Sequence, residues 1–490
     1  MRLTLIRDNY SFPPQRILKM LMKYSNNISF RGLCFRVALP AVAVGLFTTA
    51  AWAEPDVLQD DNSPPPDWMH GDSALGGWGG YRKKLLDHGV EIFGGYTVDV
   101  WGNTTGGIKT GAVYSGLMDF GLNLDLEKAV GWKGASMNTT WLWLSGRDAS
   151  EDLVGNFMTI SNIAGFNTLR LQNLWFQQNV LDDKISLRVG QLSADSEFVI
   201  SDYGSTFING TFGWPPFMYM NLPNGGPGFP MGTLGIRLAV KPFEWMTLQS
   251  AVFQGDPYAQ DVNRHGFRWT LDQTNGYFFI NEAQVRWNHR DEEMGLPGQL
   301  KGGAWFHTAK FADSFNPENS HQGDCGFYAI MDQMLYREPS APAESVAPAG
   351  KDGKSVVSGK DAKKAVVPGE VKSSQGLGWF GRIGFDPQDR NFLGFYVDTG
   401  LSYTGLIPTR DEDVLGLAFA YAQLSRGAQQ QAIDGGASGV GAEMVIEATY
   451  QAKVTKWLSI QPDLQFIINP GGNQDLGNAL MIGARAAITF

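Results

Sequence analysis

The closing stretch from Glu443 to Phe490 constrains this chain more than any other part of it. It holds three runs in which side-chain character alternates residue by residue, separated by turn residues. In the last, Leu480, Ile482, Ala484, Ala486, Ile488 and Phe490 share one face, and Met481, Gly483, Arg485, Ala487 and Thr489 the other. The run before sets Leu458, Ile460, Leu464, Phe466 and Ile468 against Ser459, Gln461, Asp463 and Gln465. The first sets Met444, Ile446, Ala448 and Tyr450 against Glu443, Glu447, Thr449 and Gln451. Period two over roughly ten residues is the pattern of a strand with unlike faces, and a soluble sheet and a transmembrane barrel both use it with the faces assigned oppositely. Here the polar face carries Glu443, Glu447, Asp463 and Arg485, charges of both signs suited to a wet lumen.

The other end of the chain reads as an export address. Lys19, Lys23, Arg31 and Arg36 lead into the apolar run Val37 to Phe47, and Ala51-Trp52-Ala53 fits a small-x-small cleavage site, so residues 1–53 read as a signal peptide, with Met20 and Met22 as alternative starts. That run is too short to span a bilayer, and no other segment approaches the roughly 20 apolar residues a membrane helix needs. A membrane protein of this kind must be a closed barrel, since only closure satisfies every backbone group without helices. A net charge of -10 argues against nucleic acid as a partner. With Cys34 in the leader, Cys325 is left alone and forms no internal disulfide.

Residues 54–89 form a polar, Pro-rich lead-in, with Pro64-Pro65-Pro66, that ends in a short helix stopped by Gly89. Residues 90–490 then read as the barrel, with strand-like runs near 90–101, 116–127, 134–145, 167–180, 184–192, 232–241, 245–255, 277–289, 300–309, 325–337, 377–386, 392–404, 412–424, 439–452, 457–468 and 479–490. Those sixteen runs make the even number a bacterial single-chain barrel requires. The short links Asp182-Asp183, 241–244 and 453–456 all fall at even-numbered connections, and the long ones, 146–166, 193–231, 256–276, 310–324 and 425–438, at odd ones. Short turns on one side and long loops on the other are the habit of this class. The segment 338–376 breaks it. Rich in Lys, Ala, Pro, Ser and Gly, it reads as a disordered insertion on the periplasmic side.

Connection 193–231 is too long for a plain surface loop and is stiffened by Pro and aromatics, so it is expected to fold inward and set the bore. Phe207 and Trp214 within it offer flat apolar faces to a sugar ring. Alternation nominates Asp99, Asp125, Arg170, Arg188, Glu282, Gln284, Arg286, Arg382, Glu443, Glu447, Asp463 and Arg485 as lumen-facing, where opposed charges orient hydroxyl-rich solutes by bidentate hydrogen bonds. A hydrolase reading fails on geometry. Glu443 and Glu447 lie roughly 13 Å apart along an extended strand, too far to flank one glycosidic bond. None of the six histidines sits in a ligand-spaced pair, so no cofactor, metal or catalytic residue is expected.

The terminal aromatic at Phe490 resembles the C-terminal strand signature of bacterial outer-membrane barrels. More specifically, Trp78-Gly79-Gly80-Tyr81-Arg82, Gly190-Gln191, Asn209-Gly210-Thr211-Phe212-Gly213, the run Tyr328 to Arg337, Gly405-Leu406-Ile407-Pro408, Trp457 to Gln465 and Asn469-Pro470-Gly471-Gly472 together resemble the carbohydrate-selective porin (OprB) family. The resemblance covers essentially all of the chain after the leader. It implies an all-β, sixteen-stranded antiparallel barrel in the bacterial outer membrane that admits monosaccharides such as glucose by facilitated diffusion past an Arg- and Glu-lined constriction. The partners it implies are small sugars, outer-membrane lipid and lipopolysaccharide, with room for a homo-oligomer. A general size-limited porin and an envelope-anchoring barrel that uses 338–376 are the alternatives.

Overall fold

The structure is a computed structural model that describes residues 73–290, 295–316, 318–339 and 375–490. The leader, most of the lead-in and most of the insertion lie outside the described residues. Sixteen antiparallel strands close into one barrel: β1 (Val90–Thr105), β2 (Gly111–Asp125), β3 (Ala135–Gly146), β4 (Thr168–Val180), β5 (Ile185–Leu192), β6 (Thr233–Phe243), β7 (Met246–Gln254), β8 (Tyr277–Trp287), β9 (Gly298–Ala312), β10 (Ser320–Arg337), β11 (Gly376–Phe385), β12 (Leu393–Thr404), β13 (Val414–Leu424), β14 (Ala442–Lys453), β15 (Leu458–Ile468) and β16 (Ala479–Thr489). Each strand pairs with its neighbours in sequence, and β16 returns to β1. No sheet edge is left to be satisfied in lipid.

The seam is in register from Gly95 opposite Thr489 through Asp99 opposite Arg485. Phe490 N donates to Gly94 O at 2.9 Å. The short helix Tyr81–Asp87 sits at this corner, where Arg82 Nη2 donates to Phe490 O at 3.1 Å and Ala74 N to Thr489 O at 2.9 Å. The segment before β1 and the last residues of β16 therefore fasten each other at the seam.

Alternation sorts the faces inside out. Val100, Tyr114, Trp143, Leu187, Ile236, Leu417 and Ile482 are exposed on the outer wall, whereas Asp99, Glu443 and Glu447 are fully buried on the inner one. Only a lipid exterior makes the first set favourable.

Three hairpins depart from the sequence expectation, among them β9–β10, whose strands reach Ala312 and Ser320 where 309 and 325 are expected. β1 and β2 run further than expected and meet in a tight turn, because Gly106 and Gly107 take φ of +67° and +63° and reverse the chain at once. β6 likewise continues past Pro242 to pair Phe243 with Met246, with a register shift after Val240 that absorbs the missing N–H. The turn there is Glu244-Trp245 rather than 241–244.

The apolar core lies inside the barrel. Loop 2 (147–167) and loop 3 (193–232) pack Phe157, Ile160, Phe207, Phe212 and Phe217 against wall residues Trp101, Tyr328, Phe380, Tyr396, Val445 and Met481. This packing runs along the lumen face of β7–β16, β1 and β2. The ends of β4–β9 nearer the short turns remain polar.

Candidate functional site

Loop 3 enters the lumen from the β5–β6 hairpin and is tied down by the wall charges. Glu447 accepts from Ile208 N at 2.6 Å and Asn209 N at 3.0 Å. Glu443 holds loop 2 in the same way, accepting from Phe157 N and Met158 N at 3.0 and 2.7 Å. Arg382, paired with Asp398 at 2.5 Å, donates to Val199 O, Thr211 O and Gly213 O at 3.1, 2.8 and 2.9 Å. Glu282 accepts from Val199 N at 3.0 Å and from Tyr328 OH at 2.9 Å. Across the seam, Arg485 grips Asp99 with two bonds of 2.7 and 2.8 Å and reaches Asn162 of loop 2 at 2.7 Å. A loop placed in a barrel must satisfy its own amides and carbonyls, and inward-pointing charges do so here.

These residues therefore meet something other than the solute contact expected of them. Asp99, Glu282, Arg382, Glu443 and Glu447 point inward, but loops 2 and 3 cover them to 3% exposure or less. Asp463 is buried beside Gln465, which donates to it at 3.1 Å. Arg170 is fully buried, its guanidinium 5.4 Å from the Phe166 ring and 3.5 Å from Asn263 O. Phe207 stacks on Phe212 and Phe380, with ring centres 5.0 and 5.8 Å away, and Trp214 donates to Gly225 O at 3.1 Å. Both aromatics are spent on packing loop 3 and turn no open face to the bore. Asp125 has a local partner instead. It ends β2 and caps the helical turn Leu126–Val130, accepting from Glu127 N and Lys128 N at 3.1 Å.

Among the described residues a cavity of about 410 Å³ lies between loop 3 and the β4–β9 wall. Loop 3 contributes Ser196, Glu197, Ile200 and Asp202, and the wall contributes Gln177, Arg237, Gln249, Gln284, Arg286 and Lys301. In its lining Glu197 joins two guanidiniums, with Arg188 Nη1 at 2.6 Å and Arg237 Nε at 2.5 Å. Arg188 and Arg237 are direct cross-strand partners, so their like charges stay adjacent only because one carboxylate neutralises the pair. Arg188 also lies 3.9 Å over the Trp175 ring and donates to Gln177 Oε1 at 2.9 Å. Lys301 Nζ donates to Ile200 O at 2.6 Å, and Gln284 donates to Glu282 at 2.8 Å. Arg286 is exposed and touches Gln284 at 3.4 Å. Where loop 3 leaves the wall, Asp195 accepts from Phe229 N at 2.7 Å, and burial lifts its carboxyl to about 6.

Of the nominated residues, Gln284 and Arg286 line this cavity, and Arg188 stands behind it, paired with the lining Glu197. Glu197, Asp202, Arg237, Gln249 and Lys301 were missed. Arg237 was legible, since Gly235, Arg237 and Ala239 alternate with Leu234, Ile236 and Leu238. Glu197 and Asp202 sit on a loop, where period-two reading gives no direction.

The family model of the carbohydrate-selective porin, OprB family, matches residues 109–490. Porin B of Pseudomonas aeruginosa is 24% identical over 457 residues, covering 87% of this chain and 92% of that protein. The high-pH structure of Pseudomonas putida OprB superposes with a TM-score of 0.72 at 23% identity, covering 86% of this chain and 99% of that one. Its low-pH structure gives 0.53 at 19% identity over the same shares. The inside-out barrel, the loops folded into its lumen and the family match together identify the chain as a member of the carbohydrate-selective porin (OprB) family, a sugar-selective porin of the bacterial outer membrane.

Proposed function

We propose that monosaccharides such as glucose cross passively through the cavity between loop 3 and the β4–β9 wall, and that Arg188, Arg237 and Glu197 form its selective point. The observation that carries this reading is the single carboxylate of Glu197 held between two guanidiniums at 2.6 and 2.5 Å on the side of the lumen that the loops leave open. Planar guanidinium forks present several fixed donors, and Glu197, Gln177 and Gln249 supply acceptors and amides beside them. A sugar with hydroxyls on nearly every carbon finds a partner at each step, whereas an apolar solute of equal size loses water and regains nothing. Weak, repeated bonds of this kind admit a solute without trapping it. No covalent step is involved. On this reading residues 1–53 serve export, and the outer wall contacts lipid and lipopolysaccharide.

Swelling of proteoliposomes in glucose, set against an amino acid and a sugar alcohol of similar size, tests the proposal. The expected result is saturable glucose influx and, in Glu197→Gln, a drop of about fivefold in preference for glucose. That corresponds to about 1 kcal/mol, the scale of one hydrogen-bond contribution. Rates ordered by size alone, in both wild type and variant, would make the protein a general porin.

A further inference from the structure

At its long-loop end β4 outruns one of its neighbours. It pairs with β3 as far as Thr168 opposite Leu144, but with β5 only as far as Leu174 opposite Gln191, because β5 ends at Leu192 and the chain turns inward as loop 3. Loop 4, the β7–β8 connection 255–276, covers the edge that this leaves. Leu171 N donates to His265 O at 3.1 Å and Thr168 Oγ1 to Arg264 O at 2.9 Å. In return Arg264 Nη2 donates to Asn167 O at 3.0 Å and His265 Nδ1 to Leu169 O at 2.8 Å. So close an approach needs glycine at 266, where φ is +80° and a Cβ would stand 2.2 Å from Leu171 O.

The covering arm lies on the lipid side of the wall. Trp143 and Leu169 are cross-strand partners exposed on the outer face, and Trp141 opposite Leu171 continues that face two residues on. Leu174, exposed on the same face, stands opposite Gln191. Loop 4 covers these positions. The Phe267 ring lies 5.8 Å from that of Trp141, Leu171 is buried, and the buried Gln191 accepts on Oε1 from Trp269 Nε1 at 2.6 Å. The arm in turn presents Phe267, Trp269 and Leu271, which are 52%, 47% and 61% exposed. Interleaved with them are Arg264, His265 and Arg268, all exposed.

Residues 262–271 contain no acid, in a chain of net charge -10. Among the described residues neither arginine forms an ion pair. Arg268 lies 4.2 Å over the Tyr258 ring, and Asp256, the carboxylate it faces, is buried and accepts from Asn224 Nδ2 and Tyr258 N, both at 2.7 Å.

We propose that the arm 262–271 is a docking surface for the phosphorylated glycolipid of the outer leaflet, the lipid A part of lipopolysaccharide. Phe267, Trp269 and Leu271 meet its acyl chains, and Arg264 and Arg268 its phosphates. Aromatic residues settle at the boundary between membrane and water, guanidiniums bind phosphate with paired bonds, and cations beside that boundary select an anionic headgroup over a neutral one. The proposal rests on the contact of the outer wall with lipopolysaccharide and adds where the phosphates are held. Since the arm covers the edge of β4 beside the departure of loop 3, bound lipid braces the wall there.

Full-length protein, refolded in detergent free of native lipid, should be titrated with bisphosphorylated lipid A and with its dephosphorylated form, and binding counted by native mass spectrometry. Saturable binding is expected, about tenfold tighter for the bisphosphorylated form, the scale of two arginines near an anionic surface. Arg264→Gln with Arg268→Gln should abolish that preference, whereas Arg264→Lys with Arg268→Lys should keep part of it, both as heat-modifiable barrels. A preference that survives in the Gln variant would overturn the arm as the site and leave the wall's lipid contact standing. Binding of neither lipid by the wild type would overturn that contact as well. Displacement of the lipid by an equal concentration of inorganic phosphate would show that the arm takes a free anion. A change of oligomeric state in the lipid-free Gln variant would show that it joins copies of the chain, and either result overturns the proposal.

Discussion

Arg382 is the residue on which most of loop 3 depends. Its ion pair with Asp398 is shut off from solvent, with side-chain exposures of 1% and 0%, and Tyr396 OH donates to the same carboxylate at 2.5 Å. Two buried ions are costly unless every remaining polar atom is used, and Arg382 meets that condition by donating to three carbonyl oxygens of loop 3. Removing the guanidinium would strand Asp398 and those carbonyls together. Arg382→Met is expected to cost about 3–5 kcal/mol, the range for breaking a buried pair, and to free loop 3 while the barrel persists. Limited proteolysis should then cut within 193–232, and single-channel recordings should show a larger, noisier conductance. A variant with wild-type protection and conductance would mean that the aromatic packing alone holds the loop.

At the scale of the element, loop 3 is also where protonation enters. The carboxyl of Asp195, lifted to about 6 from its ordinary 3.8 by burial, binds its proton more tightly in the folded loop than in an opened one. The sign follows from linkage: stability is fully present below about pH 4 and is lost as pH rises towards 6. Asp195 remains part-exposed, so the loss should fall short of the roughly 1.4 kcal/mol per pH unit of full linkage. Exchange of the Phe229 amide hydrogen should report this as easier opening at pH 7 than at pH 4, after correction for intrinsic exchange, with the difference removed in Asp195→Asn. The same element marks the limit of what the sequence revealed. Strands were legible because a wall between lipid and lumen imposes period two, the pattern on which Arg188, Arg286 and Arg485 were nominated as inward-facing. Loops 2 and 3 obey no period, so which wall charges they would cover, and that Phe207 would pack inward, depended on contacts far apart in the chain. At Asp125 alternation stops being informative for a local reason, since the strand ends there and the carboxylate has helix amides to cap.

The whole molecule is organised around closure, and this decides what the segment 338–376 can do to it. β10 and β11 pair as far as Arg337 opposite Gly376, and Glu338 N donates to Gln375 O at 3.0 Å. Tyr403 of β12 also donates to Glu338 at 2.9 Å, so the chain leaves and re-enters the wall at adjacent, anchored points. The ladder is complete before the segment begins, and closing a shorter loop costs less entropy than closing a long one. Replacing 340–374 by a two-residue turn should therefore leave the folded, heat-modifiable barrel and its glucose influx unchanged. If the segment also tethers the barrel to another envelope component, the same deletion should release the protein more readily from cell-wall fractions while flux stays constant. Loss of folding would show that the segment is needed to align β10 with β11, and loss of flux in a folded barrel would show that it reaches the pore.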